Sequence, residues 1–238
     1  MSAIKPAWAE SLWQLLFPVR HCPYCAGING TGTLCAACAA ESAALPRCMT
    51  CAQFAAVEAA TELCPDCTLE RPAFRQARAG FPYEGELRNQ LRTFKYQEQT
   101  WRRRPLAELL YATLQEHYPG ISFDAVVPVP LSAARLKERG YNQSQLLSSL
   151  LARKLGLNHC PEILWRTKET PPLYPYDGAE RRRLLDGVFA AKAVAGLTIL
   201  LVDDIFTSGA TLDACSKALK IQQAQDVYAL TVAATVMA

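Results

Sequence analysis

The chain has 238 residues, half of them apolar, with 10 cysteines, 15 prolines and a formal net charge of +3. That apolar share supports a sizeable core and excludes wholesale disorder, while the length allows one large domain or two smaller ones. No run of 18 apolar residues occurs, which excludes a transmembrane helix.

Residues 7–17 carry Trp8, Leu12, Leu15 and Leu16 at helical spacing, ended by Pro18. An amphipathic helix docked on the protein is expected there. Its polar face has almost no positive charge, which disfavours a membrane surface. Glu10 and Gln14 interrupt the apolar run and no small-residue cleavage site follows, so the segment does not read as a signal peptide.

Eight cysteines follow as four CxxC pairs: Cys22/Cys25, Cys35/Cys38, Cys48/Cys51 and Cys64/Cys67. Two intervening residues let a tight turn aim both sulfurs at one ion, and two such turns complete a tetrahedral zinc site of four thiolates. Up to two structural zinc ions are expected, the first two pairs holding one and the last two the other. An interleaved pairing, or one empty site, stays open at this point. A disulfide framework needs an oxidising compartment, and nothing in the sequence directs export. His21 beside the first pair is read as a bystander, because the cysteines suffice. Residues 1–72 hold four basic and six acidic residues. Metal-bound thiolates add further negative charge, so this module attracts a phosphate backbone poorly. Its zinc is expected to replace a core that so short a segment cannot build.

Residues 73–238 alternate strand-like and helix-like segments. Strands are expected at Phe74–Tyr83, Asp124–Pro130, Glu162–Arg166, Thr198–Asp203 and Val227–Val236. Helices are expected at Glu86–Phe94, Arg102–His117, Asn142–Leu155 and Thr211–Gln223. This order predicts an α/β domain with a parallel sheet. The division near residue 72 also separates charge, since the second part holds 21 basic and 16 acidic residues. His117 and His159 are expected in solvent, and Cys160 and Cys215 as small buried hydrophobes.

The strongest signal is Leu197–Thr211. An apolar run without alternation reads as a strand buried on both faces. It ends in Asp203 and Asp204, where open α/β sheets bind ligands. Thr207, Ser208, Gly209, Ala210 and Thr211 then open a helix. Small residues let backbone N–H groups approach an anion, and the helix dipole adds positive charge. Hydroxyls that merely cap the helix explain one side chain and leave the paired acids unexplained. Neither a Walker loop nor GxGxxG is present.

The Val202–Thr211 segment resembles the PRPP-binding motif of type I phosphoribosyltransferases. That resemblance implies that Asp203 and Asp204 bind the ribose hydroxyls of phosphoribosyl pyrophosphate (PRPP), with Thr207–Thr211 around its 5-phosphate. Two more segments narrow it. Val127-Pro128-Val129-Pro130-Leu131 precedes Arg135, Lys137 and Arg139-Gly140-Tyr141-Asn142-Gln143, basic residues near a strand end where a pyrophosphate would sit. Arg166–Phe189 is a long, polar, proline-rich connection suited to a mobile lid, with Arg181, Arg182 and Arg183 as polyphosphate contacts. With the four CxxC pairs in front and Phe94-Lys95-Tyr96 upstream, nearly the whole chain resembles the ComF family, also called GntX. Pro171-Pro172-Leu173 and Leu184-Leu185 stand where that family often has a Gln and an Asn, which weakens the carry-over of lid contacts.

The resemblance implies a type I phosphoribosyltransferase-like parallel sheet behind a double zinc ribbon. It also implies a cytoplasmic role in natural competence, the uptake and use of external DNA. Three activities follow from it and from the residues. A phosphoribosyltransferase would use PRPP with Mg2+. A non-catalytic module would bind PRPP, a nucleotide or single-stranded DNA. An adaptor would dock a competence helicase or another DNA-processing protein. Residues 75–104 favour a nucleic-acid partner, with eight basic and three acidic residues interleaved with Phe94, Tyr96 and Trp101. An ordinary basic helix face over a buried aromatic side is the plainer account of that stretch. No segment reveals a base pocket for an acceptor, although Phe206 could stack on a base.

Overall fold

The computed structural model describes residues 21–30, 33–54, 63–96 and 100–236. The helix expected over 7–17 lies outside them. Strand β6 (Thr198–Phe206) is central because its apolar Ile199–Val202 run is buried on both faces. Ile199 and Leu201 face one core, Leu200 and Val202 the other. Around it run β1 (Gln76–Pro82), β2 (Ala125–Pro128), β3 (Asn158–His159) and β7 (Asp226–Ala234), in the order β1-β7-β6-β2-β3. Every pairing is parallel, as the strand–helix alternation predicts.

Helices α3 (Gly85–Tyr96), α4 (Arg103–His117) and α6 (Gln143–Leu155) cover one face through Leu91, Leu110, Leu147 and their neighbours. Helices α7 (Gly178–Leu185) and α8 (Ala210–Ile221) cover the other through Leu185, Leu212 and Leu219. Short α5 (Ala133–Arg139) precedes α6. Among the described residues no helix is long and apolar enough to cross a membrane.

The expected strand at Glu162–Arg166 does not join this sheet. Residues Leu164–Arg166 form β4, antiparallel to β5 (Phe189–Ala191) in a separate ribbon. With only three residues and an exposed Trp165, β4 cannot fill a doubly covered position. The lid connection between these strands contains α7, which begins with a reciprocal Asp177–Glu180 capping box.

The cysteine segment straps the outer edge of β1. Helix α1 (Ala36–Ala44) lies before the crossing and α2 (Pro65–Leu69) after it. Ser42 Oγ donates to Gly80 O, Arg47 Nη1 to Ala79 O at 3.2 Å, and Ala77 N to Thr50 O at 2.8 Å. Cys22–Cys38 pack toward the α3 face, where Tyr24 stacks on Phe81 with centroids 4.4 Å apart. Cys48–Cys67 belong to the core on the α8 face.

Both histidines expected in solvent are drawn inward. His117 Nε2 accepts from Arg47 Nη1 at 2.5 Å. Burial, then Arg47 and Arg78, push its pKa down to about 4. His159 Nε2 pairs with Ser148 Oγ at 2.9 Å. A helix end and a loop start look exposed in sequence, but both lie where elements meet. Cys215 is fully buried as expected, whereas Cys160, also expected to be buried, is only half-buried at the core edge.

Candidate functional site

The eight paired cysteines gather into two groups, Cys22/Cys25/Cys35/Cys38 and Cys48/Cys51/Cys64/Cys67. Within each, all four sulfurs lie within 4.8 Å of one another. No disulfide forms. In each group the first pair sits in a turn closed by an antiparallel bridge, His21–Ile28 or Arg47–Phe54. The second pair begins at the residue preceding α1 or α2. The donors fit zinc. Cys51 and Cys64 sulfurs are 3.6 Å apart, close to the edge of about 3.8 Å implied by a tetrahedral site with 2.3 Å Zn–S bonds. Backbone N–H groups of Cys35, Cys51 and Cys64 already point at sulfurs, as they do around metal-bound thiolates. The sequential pairing is the one the spacing favoured, and each group can hold one structural zinc.

At the other end of the chain, β6 runs two residues past the acids, so Asp203 and Asp204 lie within the strand near its C-terminal end. Alternation points their side chains to opposite sides. Asp204 is buried, and Lys95 Nζ from α3 stands 2.9 Å from its Oδ2. That approach is off the hydrogen-bond line, leaving the oxygen without a hydrogen bond. Asp203 Oδ1 accepts from Ser144 Oγ at 2.7 Å and from Asp204 N at 2.9 Å. Burial and the neighbouring Asp204 raise the Asp203 carboxyl to about 7, against the lowering by Ser144, Lys95 and the Asp204 N–H.

This raised value has a sign. Between the ordinary carboxylate value near 4 and about 7, the folded state holds a proton that the unfolded state has lost. Protonated Asp203 therefore contributes stability that is full below about 4 and is lost as pH rises through about 7. His117 works oppositely, since its lowered pKa costs stability as pH falls from the ordinary 6.5 toward about 4. The expected result is that the stability of wild type relative to Asp203→Asn declines from pH 4 to pH 7. Urea melts of both proteins across that range check it, and a flat difference contradicts it.

Beyond the acids, Gly209 enters α8 at φ 75°, and a Cβ there would lie 2.6 Å from the Phe206 ring. Glycine is required by both the conformation and the close approach. No side chain caps α8. Its first N–H groups, which have no intrahelical partner, are therefore left beside the exposed Thr207 and the half-buried Ser208 and Thr211. Ala210 is buried.

The expected cations are dispersed. Arg181 reaches this loop, with Nη1 donating to Thr207 Oγ1 at 3.2 Å and Nε to the carbonyls of Leu173 and Tyr176. Arg182 turns toward Glu70, 3.5 Å away. Arg135 and Lys137 are exposed on α5. Arg139 donates to Gln143 Oε1 at 2.5 Å and lies over the Tyr96 ring. The surrounding segment is a brace: Gly140 ends α5 in the left-handed conformation, and Asn142 caps α6 while donating to Val129 O. Tyr141 OH donates to the carbonyl of Phe94, next to Lys95. Ser144, the second residue of α6, is the site residue that sequence reading missed. Its position directly after the capping Asn142-Gln143 was the available signal. Lys95 belongs to the Phe94-Lys95-Tyr96 segment, and only the fold brings it to Asp204.

No family model matches the chain. Competence protein F of Haemophilus influenzae is 30% identical over 211 residues, covering 84% of this chain and 90% of that protein. Competence protein ComFC of Bacillus subtilis is 29% identical, over 66% of this chain and 65% of that one. The DNA utilization protein YhgH of Escherichia coli K12 is 36% identical over 90 residues, 37% of this chain and 40% of that one. Among solved structures, adenine phosphoribosyltransferase from Saccharomyces cerevisiae matches 60% of this chain and 80% of its own at 17% identity and TM-score 0.37. Phosphoribosylpyrophosphate synthetase from Mycobacterium smegmatis matches 52% and 33% at 18% identity and TM-score 0.31.

Proposed function

The chain belongs to the ComF family of competence proteins, and on that premise we propose that it binds PRPP, or a ribose phosphate of similar build, in the service of DNA uptake and utilisation. The observation carrying this reading is the uncapped N-terminus of α8, entered through Gly209 in the short loop that follows the strand end bearing Asp203 and Asp204. In it, Asp203 and Asp204 take the ribose hydroxyls and Thr207–Thr211 take the 5-phosphate on backbone N–H groups and hydroxyls. Arg181, already at Thr207, is the first cation for the remaining phosphates. Arg135, Lys137, Arg139 and Arg182 are the others, drawn in as the ligand binds. Bound together with the pyrophosphate, Mg2+ would supply positive charge to offset that of the phosphates.

The same arrangement suits phosphoribosyl transfer. The bond from C1 to pyrophosphate breaks, the acceptor's nucleophilic atom bonds to C1, and pyrophosphate leaves. The test is thermal melting with PRPP and Mg2+, where millimolar ligand raises the melting temperature by mass action. No shift at millimolar PRPP overturns the reading. Pyrophosphate released in the presence of an acceptor separates an enzyme from a binder.

A second reading, a single-stranded nucleic-acid binder or an adaptor for a DNA-processing helicase, has its own observation. Tyr96 and Trp101 are exposed, with the guanidinium groups of Arg139 and Arg102 at 5.1 Å and 4.5 Å from their ring centroids. Such pairs suit base stacking. Salt-dependent single-strand binding that survives loss of both aspartates favours this reading.

A further inference from the structure

The two cysteine groups differ in what they hold. In the first, Cys25 is exposed and Cys35 half-buried, and the group packs on the α3 side of the sheet. In the second all four cysteines are buried, and the group connects to the Thr207–Thr211 loop by three routes. Cys51 and Cys67 line the same cavity of about 40 Å3 as Ser208, Gly209 and Phe206. Asp213, buried in the first turn of α8, accepts from Ala73 N at 2.7 Å, just beyond the exit from α2. Phe54 bridges Val236, and the adjacent Thr235 grips the loop: its N–H donates to Phe206 O at 3.0 Å and its hydroxyl to Thr207 O at 3.3 Å. On the lid side, Glu70 at the end of α2 meets Arg182 of α7.

We infer that the second cysteine cluster, and not the first, is a positioning element for the Phe206–Thr211 loop, so that metal there sets the loop's order and its grip on a ligand. The ligand half of this inference rests on the anion-loop reading above; the loop-order half does not. The physical link is the burial of the four sulfurs. Without an ion, nothing joins the four buried cysteines to one another, and the turn holding Phe54 and the exit toward Ala73 lose their common anchor. The Val236–Thr235 clamp and the Asp213 tie then loosen together. The first cluster has no comparable route to the loop among the described residues.

The experiment uses the whole wild-type chain, stripped stepwise with a chelator. Native mass spectrometry counts the zinc ions, and alkylation mapping identifies which cysteines have been freed. Hydrogen exchange is followed at each stage on peptides covering residues 206–213. The expected result is that release from Cys22–Cys38 leaves exchange there unchanged, whereas release from Cys48–Cys67 speeds it about tenfold or more. Glu70→Ala with Asp213→Ala, which keeps every cysteine but removes both acceptors, is expected to speed exchange in the same peptides with both metals bound. Exchange that follows the first cluster, or ignores both, overturns the inference. PRPP melts on the same species separate the two halves: if exchange follows the second metal while PRPP never shifts the melting temperature, the coupling stands and the ligand reading falls.

Discussion

Replacing Cys51 with serine is expected to cost roughly 4 kcal/mol or more of unfolding free energy, on the scale of losing a structural metal site. The same change at Cys25 is expected to cost much less. Cys51 is 4% exposed, its sulfur 3.6 Å from that of Cys64, inside the core that also holds Phe54, Phe74 and Phe206. A hydroxyl there is a poor zinc ligand, and it leaves buried sulfur without a counter-charge. Cys25 stands at the surface, where water can complete the coordination and little core depends on it. Denaturant melts paired with zinc stoichiometry check this. Equal losses from the two substitutions contradict it.

Asp204→Asn is expected to weaken PRPP binding by about 100-fold, a loss of about 2.7 kcal/mol. Asparagine keeps the shape of the side chain, but removes the charge that Lys95 neutralises and one acceptor for a ribose hydroxyl. Lys95, only 18% exposed, is then left without its partner. Some loss of stability accompanies the loss of binding, so affinity is measured by calorimetry on protein shown to be folded. Lys95→Met is the control. If Lys95 only neutralises Asp204, that variant keeps part of the affinity that Asp204→Asn loses. Unchanged PRPP affinity in Asp204→Asn removes the acid pair from the site.

The features legible in sequence were the local ones. CxxC spacing is a property of a short stretch of consecutive residues, so Cys48 and Cys51 announce themselves. The run from Leu197 to Val202 is apolar at every position but one, and so reads as a central strand. What stayed hidden depends on distant contacts. Ser144 finds Asp203 across 59 residues of sequence, and only its place in the first turn after the capping Asn142 sets its hydroxyl apart from those of Ser148 and Ser149. Lys95 looked like one of many cations on a basic stretch; burial selects it, and burial is tertiary. The basic residues before α6 read as a phosphate cradle, yet Arg139 is engaged with Gln143 and Tyr96. Of the β4–β5 ribbon, β4 lies within the strand expected at Glu162–Arg166, but three-residue β5 carries too little periodicity to show, and the pairing of the two is a distant contact.

The strap across β1 carries a consequence for the newly made chain. A parallel sheet ending in an uncovered strand is a template on which other chains add. Here the outer side of residues 76–82 is hidden by Ser42 and Arg47, hung between cysteine turns, and by Thr50 inside one of them. If the two cysteine groups stay empty, the strap is expected to loosen and bare a growing edge, so that protein made without zinc aggregates sooner than protein made with it, a difference that light scattering reads.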